Sequence, residues 1–253
     1  MTLPAYKEIE RFKMKHLKKC IYCLLLSQFF LLPLLQAQQQ GKWVSLIKGN
    51  SLSGWKKVGG KGLFTNENGV ITGTSVIDTA NTFLITEKEY GDFILELDAM
   101  IESPQSNSGI QTRSHFGGKG HEGKVYGRQV EIDPSARKWS GGIYDEDRRE
   151  WLYPLELNPD AKSAFVVGEY NHIKIECIGN EMKTWINKIP VAYVRDTVDR
   201  KGFIGLQVHA AGSVEQPGKK VFFKNIKIKT GGLQPASMPE GMHIVNIVED
   251  YKK

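Results

Sequence analysis

Arg128-Gln129-Val130-Glu131-Ile132-Asp133 is the stretch that decides the fold, because Val130 and Ile132 alternate with Gln129, Glu131 and Asp133. A strand sends successive side chains to opposite faces, so the stretch reads as a β-strand with one core face and one polar face. Two other stretches behave alike. In 107–113, Ile110 and Thr112 take one parity while Gly109, Gln111 and Arg113 take the other. In 204–209, Ile204, Leu206 and Val208 alternate with Gly205, Gln207 and His209. If the three rows share one sheet, they line a face with an arginine, several amides, two carboxylates and a histidine. A merely solvated face would carry Lys, Glu, Thr and Ser. The observed mixture suits binding of a polyhydroxylated ligand and movement of protons. The bland alternative is that the rows never meet.

Outward from these strands, the first feature is the N-terminus. A basic head (Lys15, Lys18, Lys19) precedes an apolar run at 21–35, and Leu35-Gln36-Ala37 leads into a glutamine tract. This pattern predicts a secretory signal peptide over 1–37, its apolar run short for a membrane span. Cys20 and Cys23 lack the small-residue context of a lipoprotein cleavage site. The mature chain is then expected outside the cytoplasm, in a periplasm or at the cell surface, without stable membrane insertion. Residues 1–37 hold six of the 34 Lys/Arg and two of the 28 Asp/Glu, so the net charge falls from +6 to +2 once they are removed. No basic patch argues for nucleic acid. Of the three cysteines only Cys177 survives. It shares parity with Ile173 and Ile175, as a buried thiol acting as a small hydrophobe would.

The remainder is strand-rich and turn-rich, with no long three-and-four apolar spacing and no phosphate-loop glycine motif. Many short strands separated by Gly, Asn, Asp and Pro predict two packed antiparallel sheets. Asn187-Lys188 marks a hairpin turn, although a glycine would suit the second position better. Residues 144–170, charged first (Asp145 to Glu150) and then Pro-rich, read as a long packed loop forming one wall of a site. From 230 onward the chain reads as a tail lying over the domain, with a short strand near 243–248.

Sugars present both hydroxyls and apolar faces, so their sites combine planar hydrogen-bonding groups with aromatic rings. Gln111, Gln129, Gln207 and Arg113 supply the first kind, and Tyr126, Tyr144, Trp139, Trp151 and Trp185 are candidates for the second. Any one of these tryptophans alone is better explained as core. Glu131 and Asp133 share one strand face about 6.5–7 Å apart, a spacing at which one carboxylate raises the pKa of the other. The competing account is a pair of structural acids bonded to Arg113 or Arg128. His209 ends its strand beside Gln207, where an imidazole serves as general acid or base near neutrality. His115, His121 and Glu122 lack regular ligand spacing, so no metal or other cofactor is expected.

The order of motifs resembles the 3-keto-disaccharide hydrolase domain family. The resemblance rests on Asn107-Ser108-Gly109-Ile110 with Arg113, on Tyr126-Gly127-Arg128-Gln129-Val130-Glu131-Ile132-Asp133, and on Gly141-Gly142-Ile143-Tyr144. It continues through Gly168-Glu169-Tyr170-Asn171, residues 183–187, Gly202-Phe203-Ile204-Gly205-Leu206-Gln207-Val208-His209 and Phe223-Lys224-Asn225-Ile226, and begins at Gly54-Trp55. It covers residues 42–229. Tyr170 stands where the family often has Trp, and Lys188 where it often has Gly. The resemblance implies a concanavalin A-like jelly-roll sandwich and a substrate that is a glycoside oxidised at carbon 3. The ketone acidifies the hydrogen at carbon 2, so cleavage needs a base, an oxyanion stabiliser and an acid for the leaving group. His209, Arg113, Glu131 and Asp133 are the candidates for those roles, with Gln129, Gln207, Gln111, Tyr126, Tyr144 and Trp185 as substrate-binding residues. A laminarinase-type glucanase is disfavoured because Ser135 stands where its third acid belongs. A non-catalytic lectin remains the rival from another class.

Overall fold

A computed structural model describes residues 41–77, 80–210 and 218–247; the expected signal peptide lies outside the described residues. The strands in chain order begin with β1 (Val44–Ser45), β2 (Trp55–Gly59), β3 (Leu63–Glu67), β4 (Val70–Thr74), β5 (Thr82–Thr86) and β6 (Phe93–Ile101). Next come β7 (Ser108–Phe116), β8 (Val125–Ile132), β9 (Ile143–Glu146), β10 (Glu150–Tyr153) and β11 (Asn171–Ile178). The series closes with β12 (Glu181–Ile186), β13 (Ile189–Asp196), β14 (Phe203–Val208), β15 (Lys220–Lys229) and β16 (Val245–Ile247). One sheet runs β16-β13-β12-β11-β6-β15-β4-β3, with β1 added to β15, and the other runs β10-β9-β8-β7-β14-β5-β2. Every pairing is antiparallel except β13 with β16. The protein is an all-β sandwich of the jelly-roll kind: the strand pattern predicts its two packed sheets, and the family resemblance implies the jelly roll. Among the described residues no helix is long and apolar enough to cross a membrane.

The core follows from alternation. In β6, Phe93, Leu95, Leu97, Ala99 and Ile101 are all fully buried, while Glu96 and Asp98 on the other parity are not. Ile110, Val130, Ile132, Leu206 and Val208 enter the same cluster from the second sheet, as expected. Each large apolar side chain so buried contributes about 1.5–3 kcal/mol. Cys177 is buried there as well, and burial raises its thiol pKa. Asn187 and Lys188 have φ of 51° and 72° between paired Ile186 and Ile189, a two-residue turn with both central residues left-handed.

Two expectations need correction. Residues 144–153 are not loop: β9 and β10 form a hairpin closed by Asp147-Arg148-Arg149, followed by short 3-10 turns at Leu155–Leu157 and Pro159–Ser163. The charged run folds because its charges pair. Arg148 and Arg149 both bond the buried Asp145, while Arg149 also reaches Asp196 and Arg148 reaches Asp199. The second correction concerns the outer face of the smaller sheet, which is not wholly polar. Phe83, Ile85, Val125 and Phe203 form a separate apolar cluster there, packed against Val58.

Candidate active site

The smaller sheet brings the polar rows together. Gln111 pairs with Gln129 across β7 and β8, and Gly109 pairs with Glu131. Gly205 of β14 pairs with Gln111. Tyr144 of β9 pairs with Gln129, and Trp151 of β10 with Tyr144. A Cβ at Gly109 would lie 2.3 Å from the Gln129 side chain, so only glycine lets that amide lie flat across β7.

These side chains form an oriented relay that ends on Glu131. Ser114 Oγ donates to Gln111 Oε1 (2.6 Å), Gln111 Nε2 to Gln129 Oε1 (2.8 Å), and Gln129 Nε2 to Glu131 Oε2 (2.9 Å). Asn107 Nδ2 donates to the other oxygen, Oε1, at 2.7 Å. Glu131 is 5% exposed. Burial pushes its pKa up to about 7 against the opposing pull of these two amides, with Asp133 and Glu146 adding smaller upward pushes. Pairing of the two acids was expected to drive such a shift. Desolvation is the larger cause.

Gln207 lies on the same face, opposite Phe83, with its side chain fully buried and neither amide atom bonded to protein. Fully buried amides without partners are rare and costly. His209 follows β14, is exposed, and holds its Nδ1 2.7 Å from the Ala210 carbonyl. It borders a cavity of about 80 Å³ shared with Asn107, Ser75 and Lys219, so it stands at the rim of the relay rather than within it. Tyr144 meets Trp151 edge-on at 5.2 Å, and Trp151 meets Trp139 at 4.5 Å, giving the site an aromatic wall.

Four candidates sit elsewhere or are otherwise engaged. Arg113 occupies a β-bulge between Thr112 and His115 with φ of 49°, and the extra residue reverses its parity. Its guanidinium, 1% exposed, donates to the carbonyls of Gly91 (2.7 Å), Gly179 (2.9 Å) and Cys177 (3.0 Å) and to Asp92 (2.8 Å), so it ties the sheets together. Trp185 belongs to β12 of the opposite sheet, where Lys174 covers its ring at 4.4 Å. Tyr126 shares parity with Arg128 and Val130, stacks on His121 at 3.9 Å and lies under Arg148, on the ion-pair side of the sheet. Asp133 is held by Arg137 at 2.7 Å, a partner that sequence reasoning did not name. Among the described residues no three His, Cys, Asp or Glu side chains converge as metal ligands. His121 bonds Asp147, and His115 bonds Asp199.

Two residues were missed. Glu146 shares parity with Tyr144 and so faces the relay, a signal that alternation in β9 would have given. Asn81, just before β5, carries no such signal. Its Nδ2 donates to Glu146 Oε1 at 2.9 Å although β14, β7 and β8 lie between β5 and β9. The sheet therefore curls until opposite corners meet over the relay, which makes the polar face a covered groove.

The fold is shared with a putative glycosyl hydrolase from Parabacteroides distasonis (20% identity, TM-score 0.54, covering 76% of this chain and 95% of that one). It is shared also with a galectin-like protein of unknown function from Bacillus subtilis (14%, TM-score 0.55, 75% and 94%). A third likeness is to a native glycosidic hydrolase (12%, TM-score 0.52, 78% and 98%). At these identities the likeness is one of fold alone. No curated protein sequence matches the chain. The family is decided by residues 42–229, which match the model of the 3-keto-alpha-glucoside-1,2-lyase-like domain, and the chain belongs to that family.

Proposed function

We propose that the protein cleaves glycosides whose sugar has been oxidised at carbon 3, with Glu131 as the base. The observation that carries this reading is a buried carboxylate, raised to about 7, at the end of an amide relay in a chain of this family. A carboxylate with that pKa is largely ionised just above neutrality yet basic enough to take an activated proton. Glu131 removes the hydrogen at carbon 2, and the electron pair moves towards the carbon-3 oxygen as an enolate. The donor to that oxygen is assigned to Gln207 Nε2, a buried amide on the relay face without a protein partner, since Arg113 is bonded elsewhere. Collapse of the enolate restores the ketone, forms the double bond between carbons 1 and 2, and breaks the bond from carbon 1 to the leaving oxygen. Water then adds across the double bond. Tyr144 and Trp151 supply the aromatic wall for the sugar.

We also propose that the chain works after export, on the support of the basic head and apolar run ahead of Ala37. N-terminal sequencing of protein from its native host should begin near Gln38; retention of residues 21–35 would refute export. The reaction is tested by offering the purified 38–253 chain a 3-keto-glucoside and the unoxidised parent. Only the keto compound should be cleaved, and heavy water should place deuterium at carbon 2 of the released sugar. Equal cleavage of both without deuterium would identify a conventional glycosidase. Binding of either without turnover would identify a lectin.

A further inference from the structure

Elimination leaves one role open once Arg113 and Asp133 are committed to structural bonds: a proton must reach the departing oxygen. Glu146 lies on the groove face of β9, and Gly127 pairs with it. Glu131 is four residues further along β8, so the two acids stand about 13 Å apart along the strands at about 3.3 Å per residue. Between them lies one row, Gln129 with Tyr144. Both side chains leave the same face, one on each side of that row, and the charge of Glu146 is felt at Glu131.

The bonds around Glu146 suit a donor. Oε1 is held by Asn81 Nδ2 at 2.9 Å, and Asn81 is itself fixed by the Ala210 N–H on its Oδ1 at 2.8 Å. Among the described residues nothing bonds Oε2. Glu131, by contrast, has a donor on each oxygen, the pattern that favours its charged form.

We infer that Glu146 is a second catalytic residue, the general acid that protonates the leaving-group oxygen while Glu131 takes the carbon-2 proton. The inference rests on the keto-glycoside reading above. Protons balance: Glu131 gains one from carbon 2, Glu146 gives one to the oxygen freed from carbon 1, and the subsequent addition of water restores both groups. Burial raises the Glu146 pKa, with Asp147 adding to it, the direction that favours a carboxyl able to hold a proton. Asn81 is a positioning residue. It belongs to the far wall of the groove, and its bond keeps Glu146 turned inward rather than out to solvent.

The test compares two leaving groups on the intact mature chain. One 3-keto-glucoside releases 4-nitrophenolate, which departs without a proton; the other, a 3-keto-disaccharide, releases its second sugar through a hydroxyl oxygen that needs one. Glu146→Gln keeps the acceptor for Asn81 and removes the proton. It should slow the disaccharide by about a hundredfold or more and the nitrophenyl compound by less than about tenfold. In heavy water the variant should still exchange the carbon-2 hydrogen of the uncleaved disaccharide. Equal slowing of both substrates, or loss of exchange, would overturn the role. If the wild-type chain cleaves neither substrate, the keto-glycoside reading itself fails, and that result is distinct from either. Should Glu146→Gln fail to fold by thermal unfolding, Glu146→Asp withdraws the acid by one methylene and is expected to show the same leaving-group dependence.

Discussion

Replacing Glu131 by glutamine should abolish turnover and yet make the protein more stable at alkaline pH. The side chain is 5% exposed, and its pKa rises from an ordinary 4.5 to about 7 on folding. Below pH 4.5 the group is protonated in both states and contributes no pH dependence. Between 4.5 and 7 the unfolded chain releases the proton while the folded chain keeps it, so stability falls as pH rises. Above 7 the loss is complete, at about 3 kcal/mol for 2.5 pKa units. The substituted glutamine carries no charge and escapes that loss, but its NH2 faces a donor, either Asn107 Nδ2 or Gln129 Nε2, at a cost of about 1–2 kcal/mol. Near pH 4 the variant should therefore be the less stable by that amount, and at pH 8 the more stable by about 1–2 kcal/mol. The corresponding rise in melting temperature is about 2–8 °C for a domain of this size. Urea unfolding of both proteins at pH 4, 6 and 8 makes the comparison, and the difference between them cancels the titrating groups that do not interact with Glu131. Parallel pH slopes in the two proteins would refute the claim that burial of Glu131 sets its pKa. For the 4-nitrophenyl substrate, whose departure needs no proton, wild-type kcat/KM should climb with pH through about 7, as ionisation of the base requires.

Other outcomes follow from the same geometry. Arg113→Ala removes a guanidinium that holds three carbonyls and Asp92, so unfolding free energy should fall by about 3 kcal/mol or more while kcat per folded molecule stays near wild type. A fall in kcat with unchanged urea midpoint would return Arg113 to the chemistry. Gln207→Leu replaces a buried amide that has no protein partner, so urea stability should hold or rise by about 1 kcal/mol. Its turnover of the 3-keto-glucoside should drop by about a hundredfold if the amide stabilises the enolate, and unchanged turnover would remove it from that role.

Alternation alone placed Ile110, Val130, Ile132, Leu206 and Val208 in the core and Gln129, Glu131 and Gln207 on the opposite face. The pleat leaves a strand residue only two directions, and burial of the apolar set selects one of them. Asn187-Lys188 was legible as a turn for an equally local reason, since its two residues alone must take positive φ. The errors arose where a local rule met a distant partner. Arg113 follows alternation on paper, but one bulged residue turns it towards carbonyls of the opposite sheet more than sixty residues away. Trp185 has the parity of an exposed ring, and nothing in its neighbourhood says that β12 joins the other sheet. Residues 144–150 looked like loop because Asp145 pairs with both arginines locally, while Asp196 and Asp199, which complete the network, arrive from a separate strand end. The Asn81 to Glu146 bond depends on how far five strands curl, a property of the whole sheet. Local pattern therefore dictates which side chains leave each strand together. Which strands stand side by side, and how the sheet bends, follows only from the folded whole, because register, bulges and curvature are settled by packing between segments far apart in the chain.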